Sequence, residues 1–99
     1  MGSLSLAQAG KIVDEALAEA RRRSFSPLCV VVLDAGGHAV ALKREDAASS
    51  GRPAIATAKA AGALVGAVGI SGDTSDNDEV CAVAGILAAG LKADTGAAP

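Results

Sequence analysis

The segment Val30-Val31-Val32-Leu33-Asp34-Ala35-Gly36-Gly37-His38-Ala39-Val40 constrains the fold more than any other part of the chain. From Leu28 to Leu33 the chain is continuously apolar and rich in β-branched residues. Such residues lose little on being extended, and a run without polar members suits a strand buried on both faces. Gly36-Gly37 can adopt the positive φ values of a two-residue hairpin turn. A second strand over 38–44 then returns antiparallel.

The flanks follow from their own spacing. Ser5-Leu6-Ala7-Gln8 has the form of a capping box, and Leu6, Ala9, Val13, Ala16, Leu17 and Ala20 recur at helical intervals. These predict an amphipathic helix over 6–23. Residues 45–52 are polar or small and read as a loop. Pro53 fits the first position of a helix that Ile55, Ala58 and Lys59 continue and Gly62 ends. Leu64 to Ser71 is a third strand whose glycines imply close packing. Gly72-Asp73-Thr74 is a turn, Ser75 is the candidate N-cap of a last helix, and Val80, Val83, Ala84, Leu87 and Leu91 are its apolar face. Residues 95–99 read as a frayed tail. The expected fold is α+β: one domain over 1–99, an antiparallel sheet flanked by helices in the order α-β-β-α-β-α.

Composition narrows the function classes. The chain has 99 residues, and its apolar half is Ala, Val, Leu and Ile with a single aromatic, Phe25. A core of such small side chains gains stability by pairing with another copy, so a homo-oligomer is expected. A formal net charge of −2 and the lack of an aromatic platform argue against nucleic acid. Arg21-Arg22-Arg23 reads as a solvated helix end. Cys29 and Cys81 form no CxxC pair, and one histidine cannot complete a four-ligand zinc set. No basic-then-apolar leader is visible, and the run 60–71 is too short to span a bilayer, so the expected setting is cytoplasmic, away from membranes.

Two motifs together carry a family resemblance. Asp34-Ala35-Gly36-Gly37-His38, with Arg44 and Asp46 soon after, resembles the first hairpin of the GlcG/HbpS-type family, which includes haem-binding proteins and the C-terminal domain of PduO corrinoid adenosyltransferases. Val65-Gly66-Ala67-Val68-Gly69-Ile70-Ser71-Gly72, followed by Asp78-Glu79, resembles that family's last strand and last helix. The resemblance implies profilin-like sheet-and-helix layers, oligomeric assembly, and haem or a related tetrapyrrole as ligand. Family chains carry further helices and another strand between the second helix and the last strand. Here Lys59-Ala60-Ala61-Gly62 runs straight into Ala63-Leu64-Val65, a shortened form.

On that resemblance His38 is the candidate axial ligand to the haem iron, Arg44 and Lys59 are candidate partners of its propionates, and Gly69, Ser71 and Gly72 form a strand end where a flat ligand could approach. Each has a plainer alternative. His38 can flank the turn with its ring in water, and Asp34 can orient that ring or cap the turn. The turn before the last helix can cradle an anion or simply cap the helix. Arg44 and Lys59 can be surface charge, and both cysteines can be small core residues. Three functions follow: a non-catalytic tetrapyrrole-binding module, an interaction protein without cofactor, or an enzyme on a small carboxylate-bearing metabolite with His38 or Asp34 as general base.

Overall fold

A computed structural model of the chain describes residues 3–48 and 54–95. Helix α1 (Leu6–Arg22) leads into strands β1 (Cys29–Asp34), β2 (Ala39–Arg44), β3 (Ala54–Ala60) and β4 (Ala63–Ser71). Helix α2 (Ser75–Ala88) and a short β5 (Lys92–Asp94) follow. All five strands join one antiparallel sheet in the order β2-β1-β4-β3-β5. The α+β class and the sheet with helices stand as expected.

The expected capping box is formed: Gln8 N–H donates to Ser5 Oγ, and Gln8 Oε1 accepts the Ser5 N–H. Ala9, Ile12, Val13, Ala16 and Ala20 then turn one stripe of α1 onto the sheet and α2. Val30 and Val32 in β1, facing Ile70 and Val68 across β4, are fully buried beneath the helices. Each contributes about 1.5–3 kcal/mol by leaving water. Their neighbours Val31 and Leu33 point to the other face of the sheet, where they are only partly buried.

The second helix is a correction. Ala54–Ala60 is strand β3, paired on one side with β4 and on the other with β5. Its alanines carry a helical preference, but that preference is worth only a few tenths of a kcal/mol per residue and loses to two flanking ladders. The period is two: Ala56 and Ala58 are buried under α2, while Ile55 stays exposed and Thr57 and Lys59 half-buried. Gly62 does not end a helix. With Ala61 at φ 51° and Gly62 at φ 81°, it turns the chain from β3 directly into β4, the signature of a primed hairpin turn.

The last helix also differs in detail. Its N-cap is Thr74, not Ser75, and Thr74 Oγ1 accepts the Asn77 N–H. Its buried face is Asp78, Cys81, Ala82, Gly85 and Ile86, whereas Val80 and Leu87 are exposed. The small residues win because the helices pack closely: a Cβ on Gly85 would lie 2.4 Å from the Ile12 carbonyl oxygen. Gly90, at φ 79°, stops α2 so that Leu91 leaves the helix and the next three residues join the sheet. The expected helix start at Pro53, the loop residues 49–52 and the tail residues 96–99 lie outside the described residues.

Candidate functional site

The β1–β2 turn is built by one carboxylate oxygen. Asp34 Oδ1 accepts the N–H groups of Gly36 and His38, each at 2.9 Å. Backbone bonds from Asp34 N–H to the His38 carbonyl and from Gly37 N–H to the Asp34 carbonyl close the same turn. The His38 N–H, foremost, holds the Asp34 carboxyl below the usual carboxylate range. Both sequence alternatives for Asp34 therefore meet in one atom. It caps the turn, and it lies 3.3 Å from Nδ1 of the His38 ring. That ring is 82 % exposed, which leaves Nε2 to the solvent side.

The two glycines do different work. Gly37 has φ 85° and supplies the turn. Gly36 has no such backbone need. A Cβ there would lie 3.0 Å from both Cε1 and Nδ1 of the His38 ring, so the ring lies directly over it.

Gly36 also forms part of the wall of a cleft at this end of the sheet. One lobe, about 280 Å³, is lined by Ser3, Leu4, Asp34, Ala35, Gly36 and Val65. A second lobe of about 530 Å³ shares Ser3 and Val65 with it and is walled by the β3–β4 turn, Gln8 and Leu91. Short aliphatic side chains dominate its lining. The cleft walls were not legible as such: Leu4 carries no motif, and only the fold brings the segment before α1 over the first half of β4.

The other expected residues fall into two groups. Lys59 lies on β3 towards the same end of the sheet, and its Nζ pairs with Asp94 at 3.0 Å. Arg44 and Ser71 lie at the opposite end, in one row across the sheet with Cys29 between them. Arg44 is six residues from His38, roughly 20 Å along an extended strand. Gly69 sits between Val31 and Ile55 in the middle of the sheet. The structure does not bring these three to His38.

Gly72 belongs to a closed corner. It has φ 141°, and a Cβ there would lie 2.1 Å from the Pro27 carbonyl oxygen. Asp73 accepts the N–H groups of Ser26 and Thr74 and an Asn77 side-chain N–H, which lowers its pKa to about 2. The buried Asp78 accepts the Asp73 N–H, and desolvation pushes its carboxyl up. The Asp73 and Thr74 N–H groups that lead into α2 are thus taken by the chain's own acids, and the Asn77 N–H by the Thr74 hydroxyl. Cys81 is buried, and desolvation pushes its thiol up to about 11, which fits a core residue rather than a nucleophile. The arginine run is engaged locally, Arg22 and Arg23 with Glu19 and Arg21 with Glu45.

No group of three His, Cys, Asp or Glu side chains among the described residues could hold a bare metal ion. The donor set fits a different demand: one exposed imidazole, backed by a carboxylate, beside a cleft that the same turn helps to line. That is what a metal centre already carrying its other ligands requires.

An antiparallel five-stranded sheet with two helices defines the class, and the comparisons agree. The crystal structure of a PduOC:heme complex superposes with a TM-score of 0.81 at 16% identity, over 91% of this chain and 97% of that one. The structure of HbpS gives 0.80 at 20% identity over 88% and 90%. The Klebsiella pneumoniae protein ORFY gives 0.81 at 15% over 91% and 93%. At these identities the likeness is one of fold. The sequence itself goes further: residues 4–64 match the family described as haem degrading protein HbpS-like, and the chain belongs to that family. Curated proteins give no match. No helix among the described residues is long and apolar enough to cross a membrane.

Proposed function

We propose that this chain is a binding module for haem or a related tetrapyrrole, with His38 as the axial ligand. One observation carries the reading: the His38 ring is held exposed beside Asp34, directly over the glycine that lines the smaller lobe of a cleft whose larger lobe is mainly aliphatic. Membership of the HbpS-like family and a relative whose structure is a haem complex support it. When bound, haem would supply an iron with an open axial position. The protein's part is to offer one nitrogen and to keep water from the apolar faces of the ring system. Lys59, at the same end of the sheet, is the candidate propionate partner. Arg44, Gly69, Ser71 and Gly72 are left out of the proposed site.

The module also pairs with itself. Leu42 and Ile55 are 57% and 59% exposed on the sheet face away from the helices, and an apolar surface of this kind gains by being covered. An enzymatic reading has less support, since among the described residues the ion-pair partner of His38 is the Asp34 that caps its turn.

Haemin added to purified protein tests the proposal. A red-shifted Soret band is expected with the wild type and a loss of that shift with His38→Ala, at unchanged circular dichroism. Absence of a shift in the wild type removes the tetrapyrrole reading and favours an interaction protein. A shift that survives His38→Ala removes the assigned ligand. Light scattering on the same samples should give a mass that rises with concentration, and a constant monomer removes the pairing.

A further inference from the structure

The histidine turn holds more than an exposed ring. Asp34 Oδ1 cannot retreat from His38, because it is fixed by two backbone N–H groups of the same turn. It lies 3.3 Å from Nδ1, beside that nitrogen whatever the ring's proton does. A neutral imidazole carries its proton on one nitrogen only. With the proton on Nε2, the Nδ1 lone pair would face a carboxylate oxygen, and like partial charges would repel. With the proton on Nδ1 the contact is attractive. Gly36 adds a steric condition, since any side chain there would press on Cε1 and Nδ1 at 3.0 Å and push the ring from this contact.

We infer that the Asp34–Gly36–His38 turn presents the imidazole as a pre-set ligand, protonated on Nδ1 toward Asp34 and offering Nε2 to the solvent side, beside the cleft that Gly36 lines. Asp34 and Gly36 are positioning residues, and His38 is the group that touches the ligand. The ligand class is a metal centre that brings its other ligands with it, a metalloporphyrin above all. The choice of ligand rests on the haem reading, whereas the tautomer does not.

Two measurements separate the two claims. In ligand-free protein, at a pH where the ring is neutral, long-range proton–nitrogen NMR correlations report which nitrogen is protonated. The expected result is a dominant Nδ1–H form in the wild type, weakened in Asp34→Asn. That variant keeps an acceptor oxygen for Gly36 and His38 while removing the charge, so the hairpin stays formed. A dominant Nε2–H form in the wild type, or the same bias in Asp34→Asn, overturns the inference whether or not haemin binds. With haemin, Asp34→Asn and Gly36→Ala should each bind about tenfold more weakly at unchanged circular dichroism, the scale typical of removing an outer partner of a metal-bound histidine. Unchanged affinity in both overturns the positioning role. A wild type that binds no haemin overturns the haem reading alone, and the tautomer result then stands or falls by NMR.

Discussion

The molecule contains two glycine hairpins that share a sheet and behave differently. The β1–β2 turn is tied by a side chain: Asp34 takes two backbone N–H groups and orients a ring. The β3–β4 turn has no such tie. Ala61 and Gly62 both take positive φ, and Ala61 does so without the freedom of glycine. One turn is specified by a polar residue that also serves the site. The other is carried by the ladders on either side of it, and strain at a non-glycine residue is tolerated because those ladders over-determine it.

The sharpest way to break the contrast is at the residue the two hairpins share. Gly66 lies opposite Asp34 in β1 and Ala58 in β3, and a Cβ there would come within 2.4 Å of the Leu33 carbonyl oxygen. Gly66→Ala should cost roughly 3 kcal/mol, read by urea unfolding, because backbone rather than a flexible side chain must yield. A cost below about 1 kcal/mol would mean that the strands part easily there.

The next effect is smaller and has opposite signs in the two turns. Gly37→Ala places a Cβ at φ 85° and should destabilise by about 1–2 kcal/mol. Ala61→Asn relieves a residue already in the left-handed region and should stabilise by about 0.5–1 kcal/mol. Equal signs would show that the turns are not distinguished by their backbones.

The smallest effect is acid sensitivity. Asp34 has its carboxyl lowered in the folded state, so its contribution is complete above the unfolded carboxylate pKa of about 3.9 and is lost as pH falls below that through the folded value. Amide exchange below about pH 4 should therefore open the β1–β2 turn before the β3–β4 turn, which has no carboxylate to protonate. Simultaneous opening would show that Asp34 does not hold its hairpin.

The same contrast explains what was legible in the sequence. The first hairpin was readable because β-branched residues meet a glycine pair, and the first helix because Ser5 and Gln8 announce it. The second hairpin was hidden in Ala54-Ile55-Ala56-Thr57-Ala58-Lys59-Ala60, where alanine states a helical preference and the period of two is carried by only three larger side chains. Nothing local reveals that β4 and β5 will flank it. The buried face of α2 was misplaced for a related reason. The larger apolar residues Val80, Val83 and Leu87 share a helical spacing, yet burial there follows how closely Gly85 lets α2 approach Ile12. At the site, His38 and Asp34 could be named from the motif. The cleft could not, because Leu4, Val65 and the β3–β4 turn come from distant parts of the chain.

The strand order has a consequence for synthesis. β1 finds β2 at once, as its immediate successor, but its other edge is filled by β4 rather than β3. Between the end of β1 and the start of β4 lie roughly 30 residues, so at about 5–20 residues per second that edge waits roughly 1.5–6 s on the ribosome. During that interval one edge of the valine run of β1 lacks its partner strand. The first hairpin is completed long before the strand that protects it has been made.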